Sequence, residues 1–170
     1  HLLLSASGAP ITDLAGNVMR FERHGGQPTA IVVPGGRRLE LRVEDGLLRE
    51  ISMMRADTRV RHSLVRYEYG AGDLVAVIDA LGKAYRFDYA AHRMVRHTDR
   101  NGLSFHYSYE AHGDGWRVDH AWGDGGLYDY RFAYFDAIHE RRITDSLGHV
   151  SVVKLDETGL PINELDPLGG

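Results

Sequence analysis

The feature that most constrains this 170-residue chain is a tetrapeptide, Asp-x-x-Gly, that recurs along it. With Gly36 of a degenerate copy included, its glycines are spaced by 20 or 21 residues, or by 46, which is about two longer units. A period of this size predicts stacked supersecondary units, because one short unit cannot bury its own apolar face. The copies begin at Asp13, Asp79, Asp99, Asp145 and Asp166, and Val33-Pro34-Gly35-Gly36 falls in line with them as a degenerate copy.

Two neighbouring copies align residue by residue. Residues 67–86 read YEYGAGDLVAVIDALGKAYR, and residues 87–106 read FDYAAHRMVRHTDRNGLSFH. A third copy starts at Phe105 and is expanded by glycine-rich stretches, and a fourth starts near Tyr130. The matching positions of the aligned pair are Tyr67/Phe87, Tyr69/Tyr89, Leu74/Met94, Val75/Val95, Asp79/Asp99, Gly82/Gly102 and Tyr85/Phe105.

Within each copy, aromatic residues recur at every second position, as in Phe105/Tyr107/Tyr109. Alternate residues of a strand share a face, whereas a helix would scatter them, so the pattern predicts β-strands. An Asp can accept a backbone N–H two residues on, and a Gly supplies positive φ, so Asp-x-x-Gly is typical of a turn. We expect no long helix. The predicted strands are residues 18–23, 29–33, 38–43, 47–53, 60–69, 73–78, 84–89, 93–98, 103–109, 116–121, 127–134, 139–144 and 149–154.

Composition excludes several classes of protein. Twenty Lys and Arg against 24 Asp and Glu give a net charge of −4, too balanced for a dedicated nucleic-acid binder. The chain has no cysteine, which excludes disulfide scaffolds, Cys-metal sites and thiol catalysis. No apolar run reaches the roughly 18 residues that a membrane-spanning helix needs. Because the chain starts at His1 and stops just after a motif copy, we expect it to be part of something longer.

The copies share a combination of features: Tyr-x-Tyr, a short glycine-containing turn, Leu/Met-Val, Asp-x-x-Gly and another aromatic pair. This combination resembles the YD repeat of bacterial Rhs proteins, with teneurins and Tc-toxin components as relatives. The resemblance is strongest over residues 64–109, fair over 128–170 and weak over 1–63. We therefore expect degenerate β repeats in residues 1–63 and a YD-repeat β-sheet segment in residues 64–170, as one continuous array. The resemblance implies an all-β, antiparallel β-hairpin strip that is a segment of a large spiralling β-shell.

In Rhs proteins such a shell encloses a C-terminal toxin, which type VI or related secretion systems export against competing cells. The resemblance thus implies a secreted wall segment, with no catalytic residues, cofactor or metal of its own. The implied partners are the remaining repeats and the enclosed toxin, with spike or chaperone proteins of the secretion apparatus as further candidates. No nucleic acid or membrane span is expected.

A carbohydrate- or protein-binding module is the alternative. Trp116, Trp122 and Tyr128 lie beside glycine-rich stretches, and aromatic faces can stack on sugars, although packing against neighbouring strands is the default role of such rings. The ten histidines show no His-x-x-x-His spacing, so no metal site is predicted. Glycan candidates apart, we expect no ligand site.

The acidic residues are interpreted as turn formers. Those of the Asp-x-x-Gly copies occupy equivalent bends, so they are not expected to converge as an acid–base pair. Asp156-Glu157 is interpreted as an ordinary pair of loop charges. Asp166-Pro167-Leu168-Gly169 is similar to the DPxG sequence that Rhs proteins use for autocleavage, and Pro at the second position of a turn is the alternative interpretation. An isolated strip has two open edges, so we expect the chain alone to associate or swap strands.

Overall fold

A computed structural model describes residues 10–55 and 58–168. This part of the chain forms fifteen β-strands, hydrogen-bonded as antiparallel neighbours in chain order, with two single-turn 3-10 segments. The prediction of an all-β antiparallel hairpin strip is therefore confirmed. The chain divides into two compact units, up to Arg86 and from Phe87, so the boundary falls within one strand.

The first unit contains β1 to β7 and the start of β8. These strands are β1 (Ile11–Thr12), β2 (Val18–His24), β3 (Gln27–Val32), β4 (Arg38–Glu44), β5 (Leu47–Met54), β6 (Arg61–Gly70), β7 (Asp73–Asp79) and β8 (Ala84–Ala90). The second unit contains the end of β8 and the remaining elements. These are β9 (Arg93–Thr98), β10 (Ser104–His112), β11 (Gly115–Gly123), η1 (Asp124–Gly126), β12 (Tyr130–Phe135), η2 (Asp136–Ile138), β13 (Glu140–Thr144), β14 (Val150–Leu155) and β15 (Pro161–Leu165).

The thirteen predicted strands correspond to β2 through β14, and their ends agree to within three residues. Strand β12 begins three residues later than predicted, because η1 and the loop after it occupy residues 124–129. Strands β1 and β15 were not predicted. Asp156 and Glu157 lie in the loop between β14 and β15, as interpreted, but residues 156–159 also form a further Asp-x-x-Gly turn, which was not predicted.

The first unit presents two unlike faces. On one, the register aligns Leu41 with Ile51 and Ile51 with Val65, and we call this the apolar face. On the other, the row Glu22, Ala30, Glu40 and Ser52 runs across four strands. We call it the charged face, since arginines on this face form ion pairs with glutamates of the row and with the neighbouring Glu50. These ion pairs include Arg38–Glu22 at 2.9 Å, Arg38–Glu40 at 3.1 Å, Arg61–Glu40 at 2.5 Å and Arg42–Glu50 at 3.2 Å.

The second unit repeats this division with more aromatic residues. The register pairs His97 with Phe105 and Tyr107 with Ala121, which defines an aromatic face. The opposite, polar face carries His106 paired with Trp122. Alternation of apolar and polar residues along each strand is what separates the two faces.

Burial is shallow throughout the described part of the chain. Its buried apolar residues are Ala30, Ala76, Ile78 and Val153, and no large side chain is fully buried. The more extensive contacts between elements join strands adjacent in the sheet, and the 3-10 turns to their flanking strands. Cross-strand pairs, rather than a central core, therefore supply the stability.

Candidate functional site

Each of the repeated aspartates closes a five-residue loop between two successive strands. Asp79 Oδ1 accepts the N–H groups of Leu81 and Lys83, each at 2.9 Å. The Asp79 N–H donates to Lys83 O at 2.9 Å, and the Gly82 N–H donates to Asp79 O at 3.0 Å. The predicted role of these aspartates as turn formers is confirmed. The same four contacts recur in the loops that begin at Asp13, Asp99, Asp145 and Asp156.

Hydrogen-bond donors lower the pKa of two of these carboxylates, Asp99 and Asp156, among others. The N–H of Asn101, followed by that of Leu103, holds the pKa of Asp99 below its ordinary value. At Asp156 the Thr158 side chain is the largest cause of a lowered pKa, with the N–H of Leu160 next. Hydrogen bonds to the ionised form favour it, so the contacts that shape these two turns are also the ones that lower the pKa of Asp99 and Asp156.

Two copies of the motif depart from this pattern. The Val33 copy keeps the main-chain bonds, with Val33 N–H to Arg37 O at 2.9 Å and Gly36 N–H to Val33 O at 3.1 Å, but it has no carboxylate. In the last copy, Asp166 Oδ1 accepts the Leu168 N–H at 2.8 Å. Its final residue, Gly169, lies outside the described residues. The contact supports a turn at this copy, and autocleavage stays a prediction.

A second recurring contact was not predicted. The hydroxyl of Tyr69 donates to Leu48 O at 3.1 Å, that of Tyr109 to Met94 O at 2.6 Å, and that of Tyr134 to Val118 O at 2.8 Å. We call these contacts the tyrosine bridges. Each joins the first strand of one hairpin to the second strand of the hairpin before it.

Two of the three acceptor carbonyls, those of Leu48 and Val118, lie at β-bulges. In β4–β5 the register passes from Arg42↔Glu50 to Val43↔Leu48, so the residue after Leu48 is extra. The residue after Val118 is likewise extra in β10–β11. A bulge removes one residue from the ladder and locally disrupts its pairing, which leaves a carbonyl free for a side chain.

The three aromatic candidates for sugar binding do not converge. Trp116 is 53% exposed on the aromatic face, and the Arg93 guanidinium lies 4.2 Å from its ring centre. Trp122 lies on the opposite face, stacked on His120 at 4.2 Å and on His106 at 5.4 Å. Tyr128 is 62% exposed and stacks on Phe105 at 6.4 Å. Packing therefore explains Trp122, whereas Trp116 and Tyr128 remain largely open to solvent.

Two His–Asp pairs, which the sequence did not reveal, fasten the η1 loop to the sheet. His106 Nε2 lies 3.1 Å from Asp124 Oδ1, and His120 Nε2 lies 2.7 Å from Asp129 Oδ1. Asp124 Oδ2 also accepts the Ser104 N–H at 2.9 Å, which is the main reason that the pKa of Asp124 is lowered.

These pairs do not form a hydrolytic triad. Among the described residues, neither imidazole is hydrogen-bonded to a hydroxyl, and the nearby Ser108 hydroxyl donates to Asp119 at 2.7 Å. Within residues 10–55 and 58–168, no group of three or more His, Asp or Glu side chains is placed to hold a metal ion. The same part of the chain contains no helix long and apolar enough to cross a membrane.

Fold and contacts together define a repetitive β-sheet protein, in which Tyr and Asp side chains tie successive hairpins together. The RHS Repeat family model matches residues 69–104, a segment that runs from Tyr69 through the turns at Asp79 and Asp99. This match supports an Rhs/YD-repeat protein, as the resemblance implied. RHS repeats are structural repeats found in secreted or cell-surface proteins. No curated protein matches the chain.

Proposed function

We propose that this chain is a wall segment of a secreted Rhs/YD-repeat shell that encloses and delivers a C-terminal toxin, through type VI secretion in competition between bacteria. The observation that carries the proposal is the strand order, in which every strand pairs only with its neighbours in the chain. The RHS Repeat match over residues 69–104 supports the family on which the shell and the toxin depend.

A wall of this kind must extend sideways without needing a compact core. Each Asp loop is closed by contacts within five residues, and each tyrosine bridge reaches only the preceding hairpin. A further hairpin can therefore be added without changing those already in place, and stability accumulates from neighbour to neighbour. The partners of the segment are then the remaining repeats on either side and the toxin that they enclose.

The apolar face is the one we place toward the enclosed toxin. Large exposed apolar patches on soluble proteins usually mark interaction surfaces. The charged face, with its paired Arg and Glu side chains, is well suited to solvent. In this arrangement Val65 points inward and its neighbour Arg66 points outward.

Single cysteines test this arrangement, because the natural chain has none. We expect Val65→Cys to resist a bulky, polymer-linked maleimide reagent in the intact protein and Arg66→Cys to react. In the isolated chain both cysteines should react, which provides the matched control. Equal labelling of the two cysteines in the intact protein would contradict a closed wall, as would electron microscopy that shows residues 69–104 in a separate compact domain.

A carbohydrate- or protein-binding module is the second candidate, and the exposed ring of Trp116 is the observation that favours it. Calorimetry or a glycan array would detect such binding. Loss of the signal in Trp116→Ala but not in Trp122→Ala would support this second candidate, because only Trp116 is largely exposed. Absence of binding to any glycan would remove the carbohydrate-binding form of this second candidate.

A further inference from the structure

We propose that a cleft in the second unit binds an organic monocarboxylate, through the guanidinium of Arg141. The inference does not depend on the wall function. The cleft has a volume of about 290 Å³. It is lined by Arg117, Asp136, His139, Arg141, Leu155, Glu157, Thr158 and Gly159.

Arg141 is a cation without a counter-ion. Its Nε atom is buried and has no hydrogen-bond partner, and its guanidinium forms no ion pair with any carboxylate of residues 10–55 and 58–168. Across the strand pair it lies opposite Val153, which is only 8% exposed. Arg141 also lines the cleft, so a carboxylate bound there would accept from the guanidinium and supply the counter-ion that the described residues do not.

A second guanidinium adds to the positive charge. Arg117 lies 4.8 Å and Arg141 5.8 Å from the centre of the Tyr134 ring. Among the described residues, Asp136 is the one carboxylate hydrogen-bonded to either arginine, and it accepts from Arg117 at 2.7 Å and from His112 at 2.6 Å. Arg141 is therefore the group left to bind an anion from outside.

The rest of the lining limits the size and charge of the ligand. A planar carboxylate matches the fork of a guanidinium, and Leu155 offers an apolar wall for the body of the molecule. Asp136 and Glu157 also line the cleft and would repel a doubly charged phosphate. These features favour a singly charged carboxylate of about the size of a sugar acid.

Titration of the full chain with three probes tests the proposal, with the arginine Nε–H signals followed by NMR. Glucuronate carries both body and carboxylate, glucose the body alone, and acetate the carboxylate alone. We expect glucuronate to shift the Arg141 signal saturably, acetate to shift it more weakly, and glucose to leave it unchanged. No shift with glucuronate, or an equal shift with glucose, would overturn the proposal.

Variants on the same strand provide the matched control. Arg141→Gln should weaken glucuronate binding at least tenfold, and Arg141→Lys, which keeps the charge but loses the fork, should weaken it severalfold. Arg142→Gln should bind normally, since Arg142 is paired with Glu140 at 2.7 Å on the other face. Equal loss in Arg142→Gln would refute the assignment. If Arg141→Gln fails to fold, the Arg141→Lys result decides. None of these outcomes changes the cysteine labelling expected of the wall.

Discussion

Tyr109 and Tyr134 each bury part of an aromatic ring and place the hydroxyl against a main-chain carbonyl of the hairpin before. Burial is the main reason that the pKa of both phenols is raised. They therefore stay protonated, and remain hydrogen-bond donors, over the whole neutral range. The aspartates of the loops act in the opposite sense, as ionised acceptors. One residue type thus joins hairpins to each other, while the other shapes the bend within the chain.

Removing the hydroxyl of a tyrosine bridge should destabilise the sheet. Tyr109→Phe keeps the ring but leaves the Met94 carbonyl without its donor, so we expect a loss of about 1 kcal/mol in the free energy of unfolding. Tyr130→Phe is the control, because the Tyr130 hydroxyl makes no hydrogen bond within the described residues. Urea unfolding measures both. An equal loss in the two variants would show that the bridge contributes nothing of its own.

Asp136 makes the second unit sensitive to acid. Its hydrogen bonds from Arg117 and then His112 lower its pKa to about 2, from an ordinary value of 3.8. A carboxylate with a lowered folded pKa stabilises the protein fully above its unfolded pKa, and the contribution is lost as the pH falls through about 2. Urea unfolding midpoints can be measured as the pH is lowered from above the ordinary pKa of Asp to the lowered one. With falling pH, the midpoint should decrease less steeply in Asp136→Asn than in the natural chain. Parallel slopes would be the contrary result.

Two kinds of turn recur between the strands. From β6 to β10, Asp loops of five residues alternate with two-residue turns at residues 71–72 and 91–92. Both central residues of such a two-residue turn have positive φ, as also at Asp45, with 53°, and Gly46, with 75°. Two-residue turns of this kind match the right-handed twist of the strands they join. Ala91 and His92 adopt the same conformation without glycine, at 48° and 62°, so the sheet tolerates some strain there.

The loop glycines should be sensitive to any side chain. Gly82 has a φ of +80°, and a Cβ there would meet no atom within 4 Å, so Gly82→Ala changes conformational energy alone. We expect this variant to lose roughly 1–2 kcal/mol of stability. Gly115→Ala is the control, since its φ is not positive and its nearest contact would be at 3.8 Å. Thermal or urea unfolding that finds Gly82→Ala as stable as Gly115→Ala would contradict this account of the turn.

At the scale of the whole molecule, the described residues form no central core, so the stability of each strand depends on the strands that pair with it. Strand β15 pairs with β14 on one side, and all five of its residues are exposed. Its second edge presents main-chain groups that no described strand pairs. Such an edge is a template for another chain.

Self-association of the isolated chain is the expected consequence. Ile162 is 66% exposed on β15, and Ile162→Lys should lower the apparent mass in light scattering at high concentration, because a charge on an edge strand opposes pairing. Leu81→Lys removes a similarly exposed residue from a turn and should leave the mass unchanged. A monodisperse monomer in the natural chain would show that the edge is not used.

Much of the sheet could be predicted, because period-two aromatics and Asp-x-x-Gly are local signals. The turn at Asp156 was not predicted, since its glycine follows Gly148 by only 11 residues, which breaks the longer period. Strand β15 opens with Pro161, a residue that argues against a central strand. The tyrosine bridges could not be predicted, because their acceptors are main-chain carbonyls 15 to 21 residues away and any residue supplies one. The His–Asp pairs depend on an irregular loop whose path has no sequence signature.

The tyrosine bridges give the strip a polarity. In all three, the later hairpin supplies the hydroxyl and the earlier one supplies the carbonyl. As the chain leaves the ribosome, the acceptor carbonyl for each new tyrosine would already be present in the hairpin before it. The new hairpin would in turn provide the acceptor carbonyl for the next one. Such an assembly has distinguishable leading and trailing ends, so synthesis from the N-terminus and growth of the sheet run in the same direction.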